Sequence, residues 1–203
     1  MKIIGIGKNY VNDKSELPIG EVNPIIFTKP DSSLLENNEI LELPSFSNNV
    51  WYEIEIAYRI GKKCKNIKAN EALDYVDALA LANDLTAKDV LSKSREGKGP
   101  WAMAKGFDGA TPISAFLPIS NFPDINTINF SLKVNGEERQ KGNTSLMITK
   151  LEQFIEIVSH TMTLNPGDIL LTGTPAHGVD TVNSGDIMVG YIENKEMLKT
   201  KVK

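Results

Sequence analysis

Cysteine, excess positive charge and long apolar runs are all scarce in this chain. Cys64 is the only cysteine among the 203 residues, which excludes an intrachain disulfide and is typical of a reducing cytoplasm. The formal net charge of −4 argues against a nucleic-acid or membrane partner. No apolar run approaches the roughly 20 residues of a membrane span, and the apolar run in Met1–Gly7 is too short for a secretory signal. We therefore expect a cytoplasmic protein.

The rest of the composition is that of an ordinary globular protein. Apolar residues make up 41% of the chain and charged residues 24%, and neither value is unusual. A length of 203 residues allows a substantial core, so we expect a single domain over residues 1–203. Short extended segments outnumber helical ones, which predicts a β-rich α+β fold.

Sequence periodicity predicts where the main elements lie. Strands are predicted over Lys2–Gly7, Pro24–Thr28, Val76–Ala82, Ile169–Thr172 and Ile187–Ile192. Helices are predicted over Lys88–Ser94 and Ile148–Thr161, with Arg95–Pro100 as a mobile basic loop. The dipeptide Asn135-Gly136 predicts a type I′ turn inside a hairpin over Ser131–Gln140.

The segment from Trp51 to Ile60 alternates strictly, which predicts one strand with two different faces. Glu53 and Glu55 fall on the same face, about 6.5–7 Å apart along the backbone. Trp51 and Ala57 share that face, which favours a covered surface over the alternative of a solvated polar one. Two covered carboxylates need a counter-ion, and one divalent cation could bind both.

Asp84 follows the apolar segment Ala78–Asn83 and has two interpretations. It could cap the helix predicted over Lys88–Ser94. Alternatively, it could complete a three-carboxylate site with Glu53 and Glu55. Oxygen ligands are typical of Mg²⁺, Mn²⁺ or Ca²⁺, and no histidine or cysteine is close enough in sequence to suggest zinc.

A series of short motifs resembles the fumarylacetoacetate hydrolase family. In chain order they are Gly7-Lys-Asn-Tyr10, Glu53-Ile-Glu55, Asn83-Asp-Leu-Thr-Ala-Lys-Asp89, Trp101 to Asp108, Val134-Asn-Gly-Glu137, Pro166-Gly-Asp168 and Thr172-Gly-Thr-Pro175. They occur in the family's order and span nearly the whole chain. The resemblance implies the fold of the family's C-terminal domain, a rolled mixed β-sheet, and assembly as a homodimer.

The resemblance also implies a chemistry. Members act on small 2-oxo and 2,4-diketo acids, whose carboxylate and ketone oxygens chelate a divalent ion. We expect Mg²⁺, with Mn²⁺ or Ca²⁺ as alternatives, acting as a Lewis acid that stabilises an enolate. By resemblance, the metal ligands are Glu53, Glu55 and Asp84, the cation beside the enolate oxygen is Lys105, and the substrate-binding residues are Lys8, Asn9, Lys88 and Thr174.

Four positions depart from the family pattern. Lys8 and Lys88 stand where arginine is usual, and lysine cannot grip a carboxylate with two parallel hydrogen bonds. Leu91 replaces a common glutamine. Asp13 replaces the histidine that, with the acid at Glu16, activates water in the hydrolases. Aspartate ordinarily titrates near pH 3.9 and is a weaker base than histidine at neutral pH.

Three functions follow from these residues. The first is hydrolysis of a C–C bond in an acylpyruvate-like acid. The second is an isomerase, tautomerase or oxaloacetate-type decarboxylase that uses the same metal site without activated water, and the departures at Asp13 and Leu91 favour it. The third is a non-catalytic relic that binds metal and ligand.

His177 occupies a position that the family usually lacks, directly after Thr172-Gly-Thr-Pro-Ala176. It is either an exposed loop residue or the group that replaces the histidine missing at position 13 in proton transfer.

Overall fold

The computed structural model describes residues 1–20 and 22–203. Its strands are β1 (Ile3–Gly7), β2 (Ile25–Lys29), β3 (Leu34–Glu36), β4 (Ile40–Leu41), β5 (Val50–Tyr52), β6 (Ile54–Ile60), β7 (Val76–Asn83), β8 (Thr86–Ala87), β9 (Thr111–Ile113), β10 (Leu117–Pro118), β11 (Asn129–Val134), β12 (Glu137–Asn143), β13 (Ile169–Leu171), β14 (Asp180–Thr181), β15 (Ile187–Ile192) and β16 (Lys195–Val202). Its α-helices are α1 (Lys88–Glu96), α2 (Ala102–Lys105) and α3 (Leu151–Thr161). Short 3₁₀ helices cover Lys14–Glu16, Asp31–Ser33, Ala69–Tyr75, Ile119–Asn121 and Thr144–Leu146. None of the helices described is both long and apolar enough to cross a membrane.

The largest sheet has eight strands and confirms the rolled mixed architecture. Its order is β2-β1-β13-β6-β7-β9-β3, and β10 also pairs with β7. The pairs β1–β13 and β3–β9 are parallel, while the other pairs are antiparallel. The long central strands β6 and β7 read as nearly continuous apolar runs because both of their faces are covered.

A five-stranded sheet in the order β12-β11-β15-β16-β4 packs over β6 and β7. The core between the sheets and α3 contains Tyr58, Phe130 and Phe154, each less than 2% exposed. Burying an aromatic or aliphatic side chain of this size contributes about 1.5–3 kcal/mol relative to leaving it in water. This core fixes the positions of β6 and β7, which carry the polar residues of interest at their ends.

The strand predicted over Trp51–Ile60 is not continuous, and that prediction was wrong in one respect. It breaks at Glu53, where β5 leaves to form a three-stranded sheet with β8 and β14. Side-chain amides replace the ladder at the break: Glu53 N donates to Asn83 Oδ1 at 2.8 Å, and Ile54 N donates to Gln140 Oε1 at 2.9 Å. Both backbone donors are therefore satisfied although the strand ends there.

The predicted hairpin turn is confirmed. Asn135 and Gly136 have φ of 52° and 85°, the pair of positive values that a type I′ turn requires. Three other elements differ from expectation. The helix predicted over Ile148–Thr161 begins at Leu151. α1 extends to Glu96, so Arg95 belongs to the helix and the loop begins at Gly97. The long C-terminal strand β16 was not predicted, although its buried Leu198, Thr200 and Val202 alternate with Lys199 and Lys201.

Candidate metal centre and substrate pocket

Three carboxylates converge at one end of β6 and β7. One oxygen from each of Glu53, Glu55 and Asp84 lies within 4.8 Å of the others. Antiparallel pairing brings them together, since Ile54 lies opposite Asn83 and Glu55 lies opposite Ala82. The Glu55 and Asp84 residues are 2% and 1% exposed, and the Glu53 side chain is 15% exposed. The predicted convergence of these three acids is therefore present, at the strand break described above.

Asp84 does not cap a helix, so that alternative was wrong. α1 begins four residues later, at Lys88, without a side-chain cap from the described residues. The Asp84 Oδ1 atom accepts from Lys29 Nζ at 2.6 Å, and Oδ2 accepts from Lys105 Nζ. Burial alone would raise the pKa of Asp84, but the two ammonium groups outweigh it and hold that pKa below its ordinary value. Asp84 is thus an ionised carboxylate that points into the cluster.

Lys105 lies inside the cluster that it was expected to flank. Its Nζ donates to Glu53 Oε2 at 2.7 Å and also to Asp84, and the residue is 3% exposed. Burial would lower the pKa of Lys105, but the two carboxylates raise it above its ordinary range. The ammonium also lies 4.8 Å from the ring centroid of Phe27. The structure therefore holds a permanent positive charge at this point.

Lys29 is a site residue that sequence reasoning missed. It lies at the end of β2, 2% exposed, and its Nζ bridges Asp84 Oδ1 and the Ala110 carbonyl oxygen at 2.6 Å each. A lysine that precedes proline looks like an ordinary turn residue. The available signal was its place directly after the strand predicted over Pro24–Thr28, where a lysine that is buried would need a nearby acid.

Glu55 is the least compensated of the three acids. Its Oε2 accepts from Gly173 N at 2.7 Å. Burial first, and then the charge of Asp84, raise the pKa of Glu55 well above its ordinary value. Gly173 has φ of +93°, and a Cβ there would lie 2.9 Å from the Asn9 Cβ, so glycine is needed for the close approach.

Asn9 holds the loop that carries Gly173. Its Nδ2 donates to the carbonyl oxygens of Thr149 and Thr172 at 3.0 and 2.9 Å, and its Oδ1 accepts from Thr149 N at 2.7 Å. These bonds use the whole amide for structure, and Asn9 does not line the carboxylate pocket. The substrate contact expected of Asn9 stays a prediction.

Thr174 lies in a closed ring of hydrogen bonds at the strand break. Its hydroxyl donates to the Ile54 carbonyl at 3.0 Å and accepts from Gln140 Nε2 at 2.8 Å. The hydroxyl proton is thus already used, which leaves the backbone N–H as the group able to donate to a ligand. Gln140, which sequence reasoning did not single out, reaches this ring from β12 in the second sheet.

The carboxylates form the floor of a pocket of about 270 Å³, a size suited to a small molecule. Its other walls come from the loop after β1, from α1 and from the loop after β13. Of the residues predicted for the site, those that line it are Lys8, Glu53, Glu55, Asp84, Lys88, Lys105 and Thr174.

The acidic pair proposed for water activation lies outside this pocket. Asp13 and Glu16 are exposed, and each is used in a local turn: Asp13 Oδ1 accepts from Ser15 N and Oγ at 2.8 and 2.7 Å, and Glu16 Oε2 accepts from Asn12 N at 3.0 Å. The Ser15 bonds lower the pKa of Asp13. A lowered pKa makes Asp13 a still weaker base at neutral pH.

His177 lines a separate cavity of about 150 Å³. That cavity shares Tyr10, Pro175 and Ala176 with the carboxylate pocket, so the imidazole lies one residue beyond a common wall. The side chain is exposed. Its part in proton transfer stays a prediction.

The donor set fits a hard divalent cation. Three carboxylate oxygens at mutual distances up to 4.8 Å can be spanned by an ion that binds oxygen at about 2.0–2.6 Å. Glu55 is a buried carboxyl that accepts from one donor among the described residues, and a metal would favour its ionised form. Glu53, Glu55 and Asp84 are therefore the residues able to hold such an ion.

Comparison with known proteins agrees with this geometry. Residues 2–203 match the model of the fumarylacetoacetate (FAA) hydrolase C-terminal domain. The chain belongs to the fumarylacetoacetate hydrolase family.

Three relatives illustrate the range of this family. The chain is 37% identical over 201 residues to the mitochondrial oxaloacetate tautomerase FAHD1 of Bos taurus, covering 98% of this chain and 90% of that protein. It is 38% identical over 190 residues to the mitochondrial oxaloacetate decarboxylase of Dictyostelium discoideum, covering 92% and 86%. Among solved structures, fumarylpyruvate hydrolase from Pseudomonas aeruginosa in complex with Mn²⁺ and pyruvate has a TM-score of 0.89 at 30% identity, covering 100% of this chain and 89% of that one.

Proposed function

We propose that this protein is a divalent-metal-dependent enzyme that interconverts the keto and enol forms of a small 2-oxo acid. The observation that carries the proposal is the cluster of Glu53, Glu55 and Asp84 with the charged Lys105 fixed among them. This combination suits a reaction in which negative charge develops on a ketone oxygen.

Both a bound ion and the side chain of Lys105 would stabilise the charge that develops on the substrate. A divalent ion held by the three carboxylates would supply Lewis acidity toward the carboxylate and ketone oxygens of a 2-oxo acid. Lys105 Nζ supplies a second, fixed positive charge for the ketone oxygen when the neighbouring carbon loses its proton. Its two carboxylate partners prevent it from turning away, so little reorganisation is needed during the reaction.

The pocket walls orient the substrate. The Thr174 backbone N–H and the Lys88 ammonium are the donors available for the substrate carboxylate beside the floor. Lys88 is held at 4.2 Å from the Trp51 ring centroid, which fixes its direction. Leu91, which is 2% exposed, adds an apolar side chain to the pocket lining.

The positions of Asp13 and Glu16 favour keto–enol exchange over hydrolysis. Hydrolysis needs a group that activates water, and both acids lie outside the pocket with their oxygens used in local bonds. Keto–enol exchange needs only a proton to move to or from carbon. The relatives named as oxaloacetate tautomerases support the same choice.

Hydrolysis of a C–C bond in an acylpyruvate-like acid is the second candidate. It is favoured by the likeness to a fumarylpyruvate hydrolase across the whole chain. Decarboxylation of an oxaloacetate-type acid would also form an enolate that the metal and Lys105 stabilise. It is measured in the same experiment as pyruvate formation.

The test is to incubate the purified protein with Mg²⁺ or Mn²⁺ and follow three signals. These are loss of the enol absorbance of oxaloacetate, formation of pyruvate, and cleavage of an acylpyruvate. We expect the metal to accelerate enol loss and a chelator to abolish the effect. Lys105→Met should lower the rate about 10²–10³-fold, the scale of removing one electrostatic donor. Lys93→Met, which removes an exposed lysine from α1 outside the pocket, is the matched control.

Two outcomes would contradict the proposal. Faster acylpyruvate cleavage than enol loss would select hydrolysis. No reaction with any substrate, in protein that still binds the metal, would select a non-catalytic binding protein. Thermal melting of Lys105→Met separates lost catalysis from lost folding.

A further inference from the structure

The pocket contains more positive charge than its partners balance. Lys8, Lys88 and Arg95 all line it, and none of them forms an ion pair with a residue in 1–20 or 22–203. With Lys105, the lining holds four cationic side chains against three carboxylates. A divalent ion on those carboxylates would add two further positive charges. A ligand with a single negative charge would leave this site strongly positive.

One face of α1 supplies two of these cations at a defined spacing. Lys88, Leu91 and Arg95 stand at positions i, i+3 and i+7, which places them on the same side of a helix. Lys88 is at the first turn, near Glu53, and Arg95 is two turns away, about 10.5 Å along the axis. Leu91 lies between them and is 2% exposed. From the pocket floor outward, this face of α1 therefore presents a cation (Lys88), an apolar side chain (Leu91) and a second cation (Arg95).

Aromatic rings hold both cations in place. The Lys88 ammonium lies over Trp51, and the Arg95 guanidinium lies 4.7 Å from the Trp101 ring centroid. Trp101 packs against Phe27 with ring centroids 5.8 Å apart, and its ring lies so close to Gly7 that a Cβ there would be in tight contact at 3.1 Å. Stacking orients a guanidinium while leaving its N–H groups free to bind an anion.

Repulsion among these cations contributes to a lowered pKa of Lys88. Burial lowers the pKa of Lys88 first, and Arg95, Lys105 and Lys8 lower it further, while Glu53 acts in the opposite direction. An anion placed between Lys88 and Arg95 would relieve this repulsion.

We propose that Arg95, oriented by Trp101, binds a second carboxylate of the substrate and so makes the pocket selective for 2-oxo dicarboxylic acids over 2-oxo monocarboxylic acids. This rests on the proposed function, in which the first carboxylate and the ketone occupy the floor. Arginine suits the role because its planar fork donates two parallel hydrogen bonds to a carboxylate.

The test compares two unreactive ligands by calorimetry on the Mg²⁺-loaded or Mn²⁺-loaded protein. N-oxalylglycine has the oxalyl head and a distal carboxylate, whereas N-methyloxamate has the same head and a methyl group. We expect the wild type to prefer N-oxalylglycine. In Arg95→Gln this preference should fall about 10-fold, the scale of one lost charge-assisted hydrogen-bond pair. Arg95→Lys should give an intermediate value, because it keeps the charge and loses the fork.

Lys93→Gln is the control, since it removes the same charge from the same helix at an exposed position outside the pocket. An unchanged preference in Arg95→Gln, or an equal fall in Lys93→Gln, would overturn the assignment. So would an equal loss of affinity for both ligands, which would mean that Arg95 acts on the whole site. If neither ligand binds the metal-loaded wild type, the proposed function fails instead.

Discussion

Lys29 and Asp84 form an ion pair directly behind the pocket floor, with Nζ 2.6 Å from Oδ1 and side-chain exposures of 0% and 1%. The second bond of Lys29, to the Ala110 carbonyl, fixes the ammonium from the other side. Lys29 therefore determines the direction in which the Asp84 carboxylate presents its other oxygen to the cluster. Such a pair is costly to break, because either partner alone is a buried charge.

Lys29→Met should lower the free energy of unfolding by about 3–5 kcal/mol, the usual range when one partner of a buried ion pair is removed. Chemical denaturation at neutral pH measures the change. Lys203→Met is the control, because Lys203 and Glu42 form a pair at the surface, 73% exposed on each side. A loss for Lys29→Met no larger than that of the control would show that Asp84 is compensated without Lys29.

Two members of the carboxylate cluster should respond in opposite directions to neutralisation. In the metal-free protein, burial and Asp84 oppose the ionisation of Glu55, and the amide oxygen in Glu55→Gln can still accept from Gly173, so we expect equal or higher stability. Asp84→Asn leaves the buried Lys29 without a carboxylate partner and Lys105 with Glu53 alone, so we expect a loss of about 3–5 kcal/mol.

Metal affinity tests whether Glu55 is a ligand independently of its effect on stability. Glu55→Gln should still fold and yet lose Mg²⁺ and Mn²⁺ affinity, because one of three charged oxygens is gone. Calorimetric titration of each ion into the folded variant measures this. Undiminished affinity in Glu55→Gln would remove Glu55 from the ligand set.

The parts of this site that could be predicted from the sequence are those set by local spacing. Glu53 and Glu55 two residues apart predict a shared face, whereas Asp84 at the end of an apolar run left a helix cap open, and it was the family resemblance that implied all three as ligands. The break at Glu53 could not be predicted, because Gln140, which accepts from Ile54 N there, lies 86 residues away from Ile54 in the chain. Lys29 was missed for the same reason, since its acid is 55 residues distant.

Arg95 illustrates a different limit. Its neighbours Gly97, Gly99 and Pro100 favour a loop, and the sequence alone gave no reason to continue the helix. In the structure, Gly97 N and Gly99 N donate to the carbonyls of Lys93 and Ser94, which close the last turn of α1 and keep Arg95 on the helical face. Only that register aligns it with Lys88.

Acid should weaken one tertiary contact of the N-terminal strand. Asp168 accepts from Lys2 N at 2.8 Å and Asn165 N at 2.8 Å, and lies 2.5 Å from Lys2 Nζ. Burial would raise the pKa of Asp168, but these partners hold it below the ordinary value. A lowered folded-state pKa contributes stability that is present above the unfolded value, near pH 3.9, and is lost as pH falls through the folded one.

Asp168→Asn should therefore lower the free energy of unfolding by about 1–2 kcal/mol at neutral pH. The gap from the wild type should begin to close below about pH 3.9 and should close fully only below the lowered folded-state pKa, where the wild-type carboxyl is protonated in both states. Denaturation curves across this range measure it, and a cycle with Lys2→Met separates the side-chain pair from the backbone bonds. If the difference in free energy of unfolding between the wild type and Asp168→Asn does not change with pH, the effect comes from packing and not from the charge of Asp168.

Family membership predicts a homodimer. We expect light scattering at micromolar concentration to give about twice the 22.3 kDa mass of the chain. A particle of 22.3 kDa across the concentration range would contradict this.

The last prediction concerns the group that moves the proton. His177 and the Asp13–Glu16 turn both lie outside the pocket, but they differ in chemistry. An imidazole changes charge near neutral pH and can act as acid or base there, whereas the Ser15 bonds lower the pKa of Asp13 and make it a poor base. His177 also directly follows Pro175 and Ala176, which line both its own cavity and the carboxylate pocket. We therefore expect His177→Asn to lower turnover about 10²-fold and to remove one limb of the pH–rate profile near neutral pH, with metal affinity unchanged. Asp13→Asn should leave the profile in place. The reverse result, with turnover lost in Asp13→Asn and kept in His177→Asn, would return proton transfer to the acidic turn and make His177 an exposed loop residue.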